Sequence, residues 1–260
     1  MRKMEPVPKC ICITPDGNRR AWWALGWLWV LFGYKNAHDR GLYTCELIVR
    51  AALKAGVEFV VLWVASHSNM KREEEVPTFE RYLAEKLALV ESNAKKERVR
   101  FLLCGDIPTV LEELRQKAQK ATEKYDQTVV VLYNYDAERE NADAVRDLVK
   151  DLRHSNELSN AEWEALASDE LAELVRQKTW TACVPDIDIS IRTGVRRWPT
   201  FLGRAFGRPL PNTSDPLLPF RMRNTLLVYH LRLWPFFRER HLHAAFRAWA
   251  KVSPRLNCGK

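Results

Sequence analysis

Lys9-Cys10-Ile11-Cys12-Ile13-Thr14 runs straight into Pro15-Asp16-Gly17-Asn18-Arg19-Arg20, an apolar strand-length run ending in a turn with one acid, one glycine and two arginines. Apolar residues on both faces of so short a run read as a strand buried on both sides, the kind found inside parallel sheets. Five more runs of this type follow, at 58–64 (EFVVLWV), 99–104 (VRFLLC), 128–133 (TVVVLY), 187–191 (IDISI) and 226–233 (LLVYHLRL). Between and after them lie helical patterns at 43–55, 76–96, 110–124, 137–152, 160–178 and 238–251. The alternation predicts an α/β fold: a mostly parallel six-stranded sheet flanked by helices, in one domain over residues 1–260. No internal repeat is found, and the proline-rich piece 209–219 is read as a loop.

With 260 residues, 47% hydrophobic and 28% charged, the chain is neither disordered, collagen-like nor a disulfide-rich miniature scaffold. Its net charge of +8 is uneven, residues 192–260 carrying +12 and residues 1–191 carrying −4. A basic end favours anionic partners: phosphorylated small molecules, anionic lipid headgroups or nucleic acid. No RRM, KH, zinc-finger or basic-zipper signature is present, so nucleic acid is not an expected partner. The six cysteines (Cys10, Cys12, Cys45, Cys104, Cys183, Cys258) are scattered without CxxC spacing and read as reduced residues. Residues 1–9 have no apolar signal core, and the most apolar stretch, 21–34, has 14 residues against the ~20 that span a bilayer. A cytoplasmic protein is expected. Trp22, Trp23, Trp27 and Trp29 then have two uses, packing a core helix or making a peripheral contact with lipid. His230, His241 and His243 lack a third ligand in a zinc-like context and are not read as a metal site.

Ligands of parallel sheets bind beyond the carboxyl ends of the strands, where a glycine lets the backbone approach and a helix start offers amide groups to a phosphate. Three strand ends qualify. The first is Asp16-Gly17-Asn18-Arg19-Arg20, whose guanidinium groups suit a phosphate and whose carboxylate suits Mg²⁺. Ser66-His67-Ser68-Asn69-Met70-Lys71-Arg72 follows the second long strand, and Arg192-Thr193-Gly194-Val195-Arg196-Arg197 follows 187–191. All three fall on one sheet edge if the strands are parallel.

Taken in order with Gly105-Asp106, Asn134-Tyr135, Pro185-Asp186-Ile187-Asp188 and Leu233-Trp234-Pro235, these segments resemble the cis-prenyltransferase family, which makes undecaprenyl and dehydrodolichyl diphosphates. The resemblance runs over nearly the whole chain. It implies a hydrophobic tunnel beside the sheet and a Mg²⁺-dependent enzyme condensing isopentenyl diphosphate with an allylic prenyl diphosphate to a Z-isoprenoid diphosphate. It also implies a homodimer or a heteromer with a related subunit. By the same resemblance, Asp16 manages the metal and Asn69 assists proton removal. Substrate contacts would come from Gly17, Asn18, Arg19, Arg20 and Trp22, from Ser66, His67, Ser68 and Arg72, and from Arg192 and Arg197, the last two on isopentenyl diphosphate.

The chain departs from the family pattern at four places. Val30 and Tyr34 stand where an arginine and a histidine normally grip the allylic diphosphate, and Pro199 replaces a serine in a segment that has also lost an acid. Leu226 stands where a second metal-binding glutamate is expected. These departures motivate an alternative reading, a non-catalytic subunit of a heteromeric cis-prenyltransferase.

Overall fold

Cys10, Ile11, Cys12 and Ile13 are all fully buried, so the strand they open, β1 (Cys10–Thr14), has no solvent face over most of its length. The computed structural model describes residues 6–73, 76–154, 167–195 and 217–256. Six strands form one sheet: β1, β2 (Phe59–Trp63), β3 (Arg100–Cys104), β4 (Thr128–Leu132), β5 (Ile189–Arg192) and β6 (Leu226–Tyr229), in the order β3-β4-β2-β1-β5-β6. Every pairing is parallel. The sheet is thus wholly parallel, where the sequence predicted a mostly parallel one. At the far edge, β6 alternates half-buried and exposed residues, as an edge strand with one covered face should.

Period-two alternation splits the core. On one face Ile11, Ile13, Val60 and Leu62 meet Ile48 and Ala52 of α2 (Ala37–Lys54) together with Trp234, Phe237 and Phe246. On the other, Cys10, Cys12, Val61 and Trp63 meet Tyr135, Val184 and Leu218. Ahead of α2 lies α1 (Asn18–Val30); the short α3 (His67–Met70), α4 (Val76–Glu97), α5 (Thr109–Thr122) and α6 (Ala137–His154) follow. Helix α7 (Ser168–Lys178) packs on α6, and α8 (Glu239–Leu256) packs on α2. Helix α2 begins at Ala37, not at residue 43. Its start is a capping box, in which Asn36 Oδ1 accepts from the amides of His38 (2.8 Å) and Asp39 (3.1 Å) and Asp39 accepts from the Asn36 amide.

A buried carboxylate ties the second face together. Glu140, 1% exposed, accepts from the Tyr135 hydroxyl (2.5 Å), the Thr181 amide (2.8 Å) and the Thr181 hydroxyl (2.7 Å). Glu140→Ala leaves three buried donors unpaired and is expected to cost about 2–4 kcal/mol in urea unfolding, with Glu140→Gln losing less. A cost within the ~0.5 kcal/mol of ordinary surface changes would contradict this role.

Because β1 lies between β2 and β5, the chain fills one side of it first and the other side later, and the loops leaving the strand ends diverge there. Register puts Ile13 beside Leu62 and Thr14 beside Arg192, so the three strand-end segments emerge along one edge.

Candidate functional site

At that edge lies a cleft of about 690 Å³. The β1–α1 turn forms its floor. Gly17, at φ +105°, caps α1, and a Cβ there would come within 2.8 Å of Leu233 Cδ2 and 3.1 Å of its Cα. Only glycine fits this left-handed, crowded position without displacement. The Asp16 carbonyl is held from two sides, accepting from the Thr193 hydroxyl (2.9 Å) and from the Trp234 amide (3.0 Å). Trp234 is itself fully buried and donates its indole N–H to the Gly41 carbonyl at 2.9 Å. The Leu233-Trp234-Pro235 segment therefore locks the floor of the cleft to α2.

Asp16 faces two guanidinium groups. Arg20 Nη2 lies 3.4 Å from Oδ1, and Arg192 Nη2 lies 3.5 Å from Oδ2. Both contacts are longer than the 2.7–2.9 Å of a tight charge-assisted bond, which leaves the carboxylate open to a further ligand. Arg20 also donates to the Gly194 carbonyl at 2.6 Å. Gly194 has φ +67°, and a Cβ on it would lie 2.6 Å from the Asp16 carbonyl oxygen and 2.7 Å from Arg20 Nη2.

The second wall comes from the β2–α3 turn. Asn69 Oδ1 accepts from the Ser66 amide (2.8 Å) and the Ser66 hydroxyl (2.9 Å), and the hydroxyls of Ser66 and Ser68 lie 2.8 Å apart. With its oxygen committed inward, the Asn69 amide nitrogen is the end left for the cleft. Among the described residues, those lining the cleft include four arginines (Arg19, Arg20, Arg72, Arg192) and one carboxylate, Asp16. Such a balance selects anions.

Sequence reasoning placed Asp16, Gly17, Asn18, Arg19, Arg20, Ser66, Ser68, Asn69, Arg72 and Arg192 here, and all ten line the cleft. Two predicted contacts do not. Trp22 turns inward, its ring 6.1 Å from that of Trp29, and the next residue, Trp23, lines the cleft. The reason is helical phase: one residue along α1 rotates the side chain by about 100°. His67 turns away too, its Nδ1 3.0 Å from Asn134 Oδ1 and 2.9 Å from Arg139 Nη1. Arg139 and Asn134 both bind the Asp106 carboxylate, at 2.7 and 3.1 Å. Gly105-Asp106 and Asn134-Tyr135 thus brace α3 from behind. Asp188 has a similar supporting task, accepting from the Lys9 and Cys10 amides at 2.8 and 3.1 Å where β1 begins. Arg197 and Pro199 lie outside the described residues.

Val30 and Tyr34 are not cleft residues. Val30 is exposed at the end of α1, and the Tyr34 ring packs on Tyr43 and on the Arg40 guanidinium. The imidazole on the cleft wall is His38, with its ring 4.5 Å from that of Phe79, which lines the cleft from α4. Sequence reasoning missed both. A signal for His38 was present in the Asn36-x-x-Asp39 capping box, which fixes the phase of α2 from its first turn. Leu226 pairs with Ile189 near the start of β6, three residues back from the edge that carries Asp16.

A second cavity, about 230 Å³ and almost wholly apolar, shares Pro15, Asn18, His38, Val64 and Phe79 with the cleft. It runs between α2, α4 and the sheet, past Leu83, Val90, Phe101 and Val131. Glu46 and Lys86 form an ion pair on its wall. A cationic cleft continuous with an apolar slot suits a ligand with an anionic head and a hydrocarbon tail.

Among the described residues, no cluster of three or more His, Cys, Asp or Glu could hold a bare metal ion. Mg²⁺, however, is commonly held by one or two carboxylates while phosphate and water oxygens fill its remaining positions. Asp16 fits that smaller demand.

The sequence profile of the family described as putative undecaprenyl diphosphate synthase matches residues 14–203. An isoprenyl transferase of Thermotoga maritima is 26% identical over 94% of each chain. A geranylgeranyl-diphosphate-specific tritrans,polycis-undecaprenyl-diphosphate synthase of Pyrococcus horikoshii is 30% identical over 74% of this chain and 70% of its own. In fold, the chain matches lavandulyl diphosphate synthase of Lavandula x intermedia, solved with dimethylallyl diphosphate, at a TM-score of 0.73 with 18% identity, covering 94% of this chain and 95% of that one. With well over half of its length matched by the family profile, the chain belongs to the undecaprenyl diphosphate synthase family of cis-prenyltransferases.

Proposed function

We propose that the protein is a Mg²⁺-dependent prenyltransferase that joins isopentenyl diphosphate to an allylic prenyl diphosphate. The observation that carries this reading is the junction of the two cavities, with Asp16 and four arginines lining the cleft on one side and an apolar slot on the other. The allylic diphosphate lies over the start of α1, held by Gly17, Asn18, Arg19 and Arg20, with its tail passing Phe79 into the slot. Isopentenyl diphosphate lies against Arg192 and Arg72, beside Ser66, Ser68 and Asn69. Mg²⁺, when held by Asp16 and the substrate, supplies positive charge to the departing diphosphate.

The chain's own groups do the rest. Arginines and first-turn amides fixed before reaction stabilise negative charge as the allylic C–O bond breaks, with no reorganisation at that moment. The double bond of isopentenyl diphosphate then attacks the allylic carbon, and the resulting cation loses a proton. Asn69, oriented by Ser66, is placed to steer that proton toward the released diphosphate. Trp23 and Phe79 narrow the mouth of the cleft and limit the access of water.

Two features bear on partners. Trp23, Trp27 (92% and 71% exposed) and Val30 of α1, with Leu31 and Phe32 just past its end, are exposed apolar residues beside a helix without a single acid. Exposed aromatic residues of this kind favour the lipid interface, and these begin at the cleft that would release a hydrocarbon product. No helix among the described residues is long and apolar enough to cross a membrane, so the contact would be peripheral. Trp27→Glu is expected to weaken binding to anionic vesicles at least fivefold in a flotation assay while leaving turnover of a short soluble acceptor unchanged; equal binding would remove the contact. Edge strand β6, with Leu227 and Tyr229 exposed and Leu231 exposed just past its end, favours assembly with a second subunit.

The test of the reading is incubation with Mg²⁺, labelled isopentenyl diphosphate and dimethylallyl, geranyl or farnesyl diphosphate. Longer prenyl diphosphates are expected, and chelation should abolish them. Folded protein that extends none of these acceptors would sink the proposal of an autonomous synthase.

A further inference from the structure

A third cavity, about 360 Å³, lies away from the cleft beside edge strand β3, between the end of that strand, α5 and the turn after α7. Two cysteines line it: Cys104, the last residue of β3 and buried, and Cys183, exposed. Both border this one cavity. They are brought together by tertiary structure, not by sequence. Cys183 sits in a turn fixed by the bonds from Ala182 N to Thr179 O (3.0 Å) and from Val184 N to Thr181 O (2.9 Å), and Thr181 is anchored on Glu140. Nothing in the proposed prenyl transfer uses either thiol.

The described cysteines differ in chemistry. Burial pushes the Cys12 and Cys45 thiols up to about 12 and Cys10 higher still. Cys183 moves the other way, to about 7, chiefly through its interaction with the Cys104 thiol, with Arg100 and Arg221 adding positive charge. Cys104 is held well above its ordinary value by the same neighbour and by burial. An exposed thiolate beside a protonated thiol is the arrangement of an attacking and a resolving cysteine.

We propose that Cys104 and Cys183 form a redox modification site, in which Cys183 reacts with a peroxide and Cys104 resolves the product to a reversible disulfide. In the first step the Cys183 sulfur attacks one oxygen of hydrogen peroxide; an S–O bond forms, the O–O bond breaks, and water leaves after taking up a proton. In the second, the Cys104 sulfur attacks the sulfenic sulfur of Cys183; the S–S bond forms, the S–O bond breaks, and the departing hydroxide takes the Cys104 proton as a second water. Two thiols lose two electrons, and one peroxide becomes two waters.

The test uses the full chain, treated with equimolar hydrogen peroxide, alkylated and digested with trypsin. Cleavage isolates Cys104 on the peptide 101–115 and Cys183 on the peptide 179–192. The expected product is these two peptides joined, released by dithiothreitol and absent in Cys183→Ser. Iodoacetamide at pH 7 should label Cys183 at least tenfold faster than Cys10, Cys12 or Cys45, and Cys104→Ala should shift the midpoint of that reactivity to higher pH. Cys183 oxidised only to sulfinic acid, a bridge from Cys183 to Cys258, or labelling no faster than that of the buried cysteines would each overturn the proposal.

Discussion

Asp16→Ala is expected to lower kcat by about 10³-fold with much smaller changes in KM, the size of effect seen when one preorganised stabiliser of developing charge is lost. Among the described residues, Asp16 is the one carboxylate on a cleft wall with four arginines, so removing it does not weaken the attraction for diphosphates. Its contribution appears only when the leaving group must be stabilised together with its metal. Asp16→Asn separates charge from shape: the amide keeps the size of the side chain and its contact with Arg20, yet should lose activity nearly as far as alanine. Steady-state kinetics over a Mg²⁺ titration checks both variants, and wild-type turnover in Asp16→Asn would remove Asp16 from the metal-handling role.

Arg192→Ala is expected to raise KM for isopentenyl diphosphate by about 10- to 100-fold, since one hydrogen bond to a charged group is worth about 1.5–3 kcal/mol. Arg192 ends β5, is mostly buried, and meets Asp16 from the side opposite Arg20. Arg192→Lys restores the charge but not the two-pronged geometry, so partial rescue is expected. KM for the allylic substrate should move less, because the proposed binding mode gives that side to Arg19 and Arg20. A larger effect on the allylic KM would exchange the two substrate positions.

How far the sequence revealed these features depended on whether the signal was local. All six strands were legible as apolar runs of strand length, whereas the alternation of half-buried and exposed residues that marks β6 as an edge strand appears only in the structure. The polar clusters at 16–20, 66–72 and 192–194 were legible as strand ends, and parallel pairing then brought them together. What failed was phase and depth. Trp22 and Trp23 are neighbours of the same type, and only the packing of α1 on Trp29 decides which one faces the cleft. His38 and Phe79 reach it from two separate helices, and nothing in either local pattern joins them. Gly105-Asp106 and Asn134-Tyr135 looked like site pieces but brace α3 through Arg139 and His67.

The lost family residues also look different in three dimensions. Tyr34 stacks against Arg40 and Tyr43, away from the cleft, while His38 supplies an imidazole from the next turn of chain. Leu226 pairs within the sheet, remote from Asp16 along β6. The reading as a non-catalytic subunit drew on these positions, and it gains no separate support from the relatives, which carry the names of transferases and synthases.

The most direct measurement is a crystal structure with Mg²⁺ and farnesyl thiodiphosphate, an allylic analogue that reacts slowly. The thiodiphosphate should sit over Gly17 to Arg20 with the metal on Asp16, and the farnesyl chain should pass between His38 and Phe79 toward Leu83 and Val131. A headgroup bound elsewhere, or a tail lying along the outside of α1 with the apolar slot empty, would contradict the account.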